Sequence, residues 1–335
     1  MRAAGIRRYS DPVELLDLPD PDELRSDEVL VEVRCGGIGN WDDIARTGGW
    51  DLGRQPPMAL GVEAAGVIAG TGAAVHGRTS GSRLADGRPA DGRPAGGPVR
   101  DGLAVGDRVM THSLPLRGQG AWAEWFVAAA ADVAVIPDTV PFDVAAALPV
   151  PGLTADEALG DGLGAGPGAT VLVHGASGVT GMLMVELAAG RGAEVMATAG
   201  TDAAARVTAA GAAHVLDRRA PDWSGQARRL TEGRGVDLAV NAAPAGAADA
   251  ITAVRDGGRL VTITSDPPAA DRGIEVREVY VAPDGTRLAR LGKLLAAGTI
   301  RVTVGTAYRL EEAERALACV RRGSGGQAVV LQVAP

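Results

Sequence analysis

Three glycines are spaced where they could do chemistry. In VLVHGASGVTGMLMVELAAGRGAEV, residues 171–195, Gly175, Gly178 and Gly181 follow an apolar run and open a stretch of helical character, spaced GxxGxxG rather than GxGxxG. Residues without side chains let the backbone come close to a phosphate, and the amides at the start of a helix meet it with partial positive charge. Strand, glycine turn, helix and second strand follow one another within about 30 residues, as a dinucleotide-binding unit requires. The plainer alternative is a tight strand-to-helix turn. On the dinucleotide reading, Gly175, Ser177, Gly178, Val179, Thr180 and Gly181 form the pyrophosphate cradle.

About 20 residues beyond such a turn, an NAD site carries Asp or Glu to hold the ribose hydroxyls. Here the second strand ends in Ala199, Gly200 and Thr201, with no carboxylate to repel a 2′-phosphate. Thr201, Arg206 and Arg218 could meet that phosphate as a hydroxyl donor and two cations. NADPH is therefore expected ahead of NADH, with solvated surface charge as the alternative reading of each arginine.

The elements that would position this turn alternate in type. VLVHG (171–175), EVMATAG (194–200), AHVLD (213–217), VDLAVN (236–241) and GRLVTIT (258–264) are apolar strands separated by Ala-rich helical stretches, the pattern of βαβ units and a parallel sheet. The preceding half reads differently. EVLVEVRCGG (28–37) alternates Val29, Val31 and Val33 with polar neighbours, the period of a half-buried strand, and AAGVIAG (64–70) and DRVMTH (107–112) continue a mostly β, barrel-like half. A helix over 286–298, a second over LEEAERALACVRRG and the strand AVVLQV close the chain, and the last two are expected to return to the first half. Residues 78–102, where DGRPA occurs twice, are too rich in Gly, Pro and Arg to bury a core. They read as a flexible surface insertion, with a substrate lid as the alternative.

At 335 residues the chain is longer than one core usually grows, which predicts two domains. A net charge of -8, with no long basic block, argues against nucleic acid and anionic lipid as partners. The opening MRAAGIRRYSDP lacks the apolar run of a signal peptide, and no stretch of about 18 apolar residues could span a bilayer, so no membrane partner and a cytoplasmic location are expected. Cys35 and Cys319 are too few for a disulfide framework and are expected to be reduced.

The order of CGGIGNWDD, LGVEAAGVIAG, ALPVPGLTADEAL and the glycine turn resembles the medium-chain dehydrogenase/reductase superfamily over nearly the whole chain apart from 78–102. Within it, the tail GIEVREVYVAPDGTRLARLGKLLAAGTI followed by YRLEEAERAL is similar to the zinc-free quinone oxidoreductase and enoyl reductase branch. The resemblance implies an α/β fold, a GroES-like β-barrel catalytic domain joined to a Rossmann domain with a doubly wound parallel sheet. The division would be 1–148 with 284–335 for the first and 149–283 for the second. Zinc alcohol dehydrogenases of the superfamily place a Cys four residues after the position of Cys35 and a His inside a Gly-His-Glu triplet; this chain has Gly39 and Val62 there, and neither can ligate a metal. The four-cysteine structural zinc lobe is missing too, and the insertion lies roughly in its place. His76, His112, His174 and His214 have no ligand spacing, so no metal is expected. Asp42 and Glu63 remain from the family pattern, with Glu63 read as a backbone brace ahead of an acid or base.

By the same resemblance the nicotinamide lies between the domains. Asn40, Trp41 and Trp50, Thr154 at the boundary, and the loop Asn241, Ala242 and Ala243 would wall it. A quinone or conjugated enone taking up hydride develops negative charge on oxygen, for which the Asn40 amide, Trp41 indole and Thr154 hydroxyl are candidate donors. The alternatives are that the tryptophans fill the wall and that Thr154 caps the following helix. Several enoyl reductases of the branch carry a Tyr in the loop where this chain has Trp50, which places free quinones or enones ahead of thioesters. A dedicated reductase of a polyketide-like intermediate and a non-catalytic NADPH-binding protein are the other readings. GIEVREVYV (273–281) is the strand expected to pair across a homodimer.

Overall fold

The computed structural model describes residues 1–75, 102–115, 119–160 and 164–334. The insertion 78–102, but for Gly102, lies outside the described residues, as does His76.

The first half is antiparallel. Strands β1 (Arg2–Ile6), β2 (Glu14–Asp17) and β4 (Met58–Ala59) form a small sheet in the order β2-β1-β4. The larger sheet is organised by β3 (Glu28–Ile38), which pairs with β5 (Glu63–Thr71) along its length and with β7 (Trp125–Ala129) along its first half. Beyond β5 come β6 (Arg108–His112) and β8 (Val133–Val135). Val29, Val31 and Val33 are fully buried, as their period of two demands. The short helix α1 (Asn40–Arg46) follows β3 directly, its first turn fixed by the Asp42 carboxylate accepting from the Gly39 amide at 2.8 Å.

Two helices lead into the second half: α2 (Phe142–Ala146) and α3 (Pro149–Ala158), the latter starting on Pro149. Proline is tolerated in a first helical turn, where no intrahelical partner exists for its missing N–H. The second sheet is wholly parallel, ordered β11 (His214–Asp217), β10 (Glu194–Ala199), β9 (Thr170–His174), β12 (Val236–Asn241), β13 (Val254–Thr262), β14 (Glu275–Glu278). Helices α4 (Val179–Gly190), α5 (Ala204–Ala209), α6 (Trp223–Leu230) and α7 (Ala247–Ala253) connect its strands. Val171, Leu172 and Val173 are buried on both faces, and α4 is buried all round from Gly181 to Ala188, which is why its sequence is apolar rather than striped.

Helix α8 (Gly285–Ala296), capped by the Asp284 carboxylate on the Thr286 and Arg287 amides, packs on α3, β6 and β8. After β15 (Val304–Arg309) and α9 (Ala313–Arg322), strand β16 (Ala328–Gln332) runs antiparallel to the end of β3, Val329 opposite Ile38 and Gln332 opposite Cys35. The chain's last strand thus joins the sheet of its first half. Asp156 on α3 fastens the seam. Its carboxylate, 5% exposed, meets Arg191 of α4 at 2.6 Å, Arg287 of α8 at 3.4 Å and Arg290 of α8. No helix among the described residues is long and apolar enough to cross a membrane.

Candidate active site

A cleft of about 800 Å³ is lined from both halves. One wall is the glycine turn. Gly175 has φ +88°, and a Cβ there would lie 2.8 Å from the Ala243 nitrogen, so both conformation and space require glycine. At Gly181 a Cβ would be 2.3 Å from the Gly175 carbonyl oxygen, so this glycine lets α4 pack onto the turn. Gly178 caps α4 and is open to the cleft; the nearest atom to its absent Cβ is 3.9 Å away. Ser177, Val179 and Thr180 line the cleft with it, and the first-turn amides of a helix have no intrahelical partner.

The turn is anchored from behind. Thr198 Oγ1 accepts from the Gly175 amide at 3.0 Å and pairs with His174 Nδ1 at 2.7 Å, while the imidazole stacks on Trp223 at 4.6 Å. Burial holds His174 below the usual histidine range, hence neutral, and its place is structural. Asn241 is fully buried and does not line the cleft. Its amide donates to the Ala243 carbonyl, Thr262 Oγ1 and Thr264 Oγ1, and its oxygen accepts from the Ala243 amide. Asp266 completes this network on Thr262, Thr264 and the Ala247 amide; burial works against its ionisation, but these donors outweigh it and hold the carboxyl below its ordinary range. Ala242, Pro244, Ile263, Thr264 and Ser265 are thereby presented to the cleft, whereas Ala243 serves the backbone behind it.

At the end of β10, Gly200, Asp202, Arg206 and Arg218 line the cleft; Thr201 is exposed and does not. The expectation of no carboxylate here is corrected by Asp202. The turn after β10 folds it back, so that its Oδ1 would be 2.5 Å from a Cβ on Gly200. Arg206 is bound to backbone, donating to the carbonyls of Gly325 (3.1 Å), Gly326 (3.3 Å) and Ser177 (3.4 Å). Arg218 makes no side-chain hydrogen bond or ion pair among the described residues. Arg322, the last residue of α9, and residues 323–327 between α9 and β16 cross onto the turn, where a Cβ on Gly326 would lie 2.0 Å from the Ser177 oxygen. Sequence reading missed this segment; the run GSGG ahead of a strand was the available sign of close backbone approach.

The facing wall comes from α1 and its surroundings. Asn40 is exposed to the cleft, and Trp41 lies across Gly39, whose Cβ would fall 2.2 Å from the indole ring. The Trp41 indole N–H is buried without a partner. Ile38, Ile44, Ala147 and Pro151 add apolar surface, and Glu63 adds a buried carboxyl. Besides Asn241 and Ala243, two more expected wall residues lie outside the lining. Trp50 packs against the core of the first half. Thr154 sits in the middle of α3, neither lining the cleft nor capping a helix, its hydroxyl donating to the Val150 carbonyl at 2.7 Å.

Among the described residues no group of three or more His, Cys, Asp or Glu could hold a metal ion. His112 is bonded to the Val62 carbonyl at 3.0 Å and His214 faces Glu194. Both cysteines are free, and burial pushes the Cys35 thiol up to about 12.

Residues 25–138 match the family model described as Alcohol dehydrogenase GroES-like domain, and residues 210–327 the one described as Zinc-binding dehydrogenase. A highly reducing polyketide synthase of Arthrinium phaeospermum is 33% identical over 227 residues, covering 67% of this chain; the chain spans only 8% of that synthase's length. The quinone oxidoreductase of Lama guanicoe is 26% identical over 353 residues, 99% of this chain and 97% of its own. In structure, an NAD-dependent alcohol dehydrogenase superposes with TM-score 0.83 at 27% identity over 100% of both chains. A mycobacterial protein complexed with NADPH superposes with TM-score 0.78 at 26% identity, over 99% of this chain and 100% of its own. Fold, cleft and likenesses converge on one class of protein, chains that join a GroES-like domain to a parallel-sheet Rossmann domain. More narrowly, the chain belongs to the medium-chain dehydrogenase/reductase superfamily, in its quinone oxidoreductase branch.

Proposed function

We propose that the protein is an NADPH-dependent reductase that delivers hydride to a quinone or an α,β-unsaturated carbonyl without zinc. The observation that carries this reading is a cleft in which an open glycine turn is joined by apolar residues, the Asn40 amide and the Trp41 indole, with no metal-binding set among the described residues. Its volume of about 800 Å³ lies in the range of small-molecule and cofactor sites. A dinucleotide fits it: Gly178 leaves its side open, the first turn of α4 offers unpaired amides to a pyrophosphate, and the Asn241–Asp266 network fixes the loop beyond. The nicotinamide, when bound, supplies the hydride.

Arg218 and Arg206 against a lone Asp202 leave the ribose end net positive, which supports NADPH. Near α1, the unpartnered Trp41 N–H and the Asn40 amide would stabilise negative charge growing on the acceptor oxygen. Gly39 and Val62 supply no ligand where zinc enzymes of the superfamily have theirs, and Trp41 covers Gly39. The pairing of β16 with β3 supports a substrate domain of 1–148 with 284–335 and a dinucleotide domain of 149–283. Strand β14 at the sheet edge is available to pair in a homodimer. The likeness to polyketide synthases favours one further reading, reduction of a single polyketide-like intermediate.

Titration with NADPH and NADH, followed by nucleotide fluorescence, tests the cofactor. NADPH should bind at least about tenfold more tightly, and 1,4-benzoquinone or a simple enone should then oxidise it. Equal or weaker binding of NADPH would overturn the 2′-phosphate assignment.

A further inference from the structure

Reduction of an enone or quinone consumes one proton for each hydride, so a proton must reach the reduced acceptor in the cleft. Its described lining contains five ionisable side chains: Glu63, Asp202, Arg206, Arg218 and Arg322. Guanidinium groups do not give up their protons. Asp202 lies at the exposed ribose end, folded over Gly200 near Arg218. Glu63 is 1% exposed and shares the other wall with Asn40 and Trp41. On the reductase reading above, we propose that Glu63 is the catalytic acid that protonates the reduced acceptor.

The carboxyl is held in a built position. Its Oε2 accepts from the Val150 amide, at the first turn of α3, at 2.8 Å, which leaves Oε1 to carry the proton. The missing side chain of Gly37 makes room for it, since a Cβ there would lie 2.4 Å from Oε1. No ion pair reaches Glu63 among the described residues. Asp42 of α1 is the charged group that acts on it and His112 stands opposite it on β6; α2 brings the Ala146 carbonyl beside Gly37, and α3 the Val150 amide. Burial keeps His112 neutral. Burial also pushes Glu63 well above the usual carboxylate range; the Val150 N–H opposes this and the nearby Asp42 adds to it. A carboxyl held this way keeps its proton to higher pH than a free one, which is what an acid for an enolate or quinol anion requires.

The step balances. Hydride from the bound nucleotide adds to the β-carbon of the enone, or to the quinone, and the displaced electron pair settles on the substrate as enolate or quinol anion. The Oε1–H bond of Glu63 breaks as the new O–H or C–H bond forms, and solvent returns a proton to the carboxylate after product leaves.

The experiment is the pH dependence and solvent isotope effect of turnover for the whole protein with NADPH and a simple enone, from about pH 6 to about pH 10. The wild-type rate should fall at the alkaline end as Glu63 ionises, with a solvent isotope effect. Glu63→Gln, which keeps an acceptor for the Val150 amide, should lose both signatures and about 100-fold in kcat, with NADPH affinity unchanged. Glu63→Asp, which retains an acid one methylene shorter, should keep the alkaline limb at reduced rate. An unchanged profile and kcat in Glu63→Gln would overturn the proposal while leaving the reductase reading intact. If the Gln variant does not fold, a wild-type rate flat with pH and free of an isotope effect would overturn it equally. Absence of any wild-type turnover would remove both.

Discussion

The two walls of the cleft are built from different materials. The glycine-turn wall is mostly backbone: glycines at 175, 178 and 181, the first turn of α4, and loops tied by Thr198, Asn241 and Asp266. The α1 wall is mostly side chain, with Trp41 laid over a glycine, Asn40 exposed, and Asp42 and Glu63 buried without cationic partners. A backbone site needs close approach and positive φ, which only certain residue types allow. A side-chain site can be assembled from residues that look ordinary in sequence. On the proposed function, the first kind would recognise what dinucleotides share, and the second would set chemistry and selectivity.

The strongest way to break the comparison is to open the seam that holds both walls. Asp156→Ala would leave Arg191, Arg287 and Arg290 without their shared carboxylate, and should cost about 3–5 kcal/mol, read as a lowered midpoint in denaturant unfolding. A loss under about 1 kcal/mol would show that the cluster behaves like a surface salt bridge. Next, Gly175→Ala places a Cβ against Ala243 in a left-handed conformation; NADPH affinity should drop about 100-fold, measured by fluorescence titration. Arg218→Ala touches only the ribose end and should weaken NADPH about tenfold while leaving NADH unchanged.

The last test concerns the buried acids, whose effect is spread over several pH units. Burial, opposed by the Gly39 amide, raises Asp42 to about 8. A carboxyl raised in the folded state stabilises most below its unfolded value near 4, and that contribution fades as pH climbs to about 8. Stability should therefore decline with rising pH across that window, by up to about 1.4 kcal/mol per pH unit for this one group. Asn at position 42 keeps an acceptor for Gly39, and its stability should vary less with pH. An identical slope in Asp42→Asn would place the pH dependence elsewhere.

The same contrast explains what could be read from sequence. The parallel strands and the glycine turn were legible because each is a local pattern: an apolar run, then residues whose smallness is itself the signal. Thr154 was misplaced because ALPVPGL, with two prolines, reads as a boundary, whereas α3 begins on the first of them and carries Thr154 into its interior. Asp202 was overlooked because it lies beyond the strand end and reaches the cleft only through the turn after β10. Residues 322–327 arrive from nearly 150 positions away in the chain, a distance no local pattern spans, and only their glycines hinted at it. Trp50 shared a segment with the wall residues, but packing in the first core turns it aside.

The most direct test of zinc-free reduction in this cleft uses protein stripped with a strong chelator and checked for residual metal. Mixed with NADPH and 1,4-benzoquinone or an enone, it should oxidise the nucleotide at the rate of untreated protein. Failure to bind NADPH, or activity that returns only when zinc is added, would contradict the account.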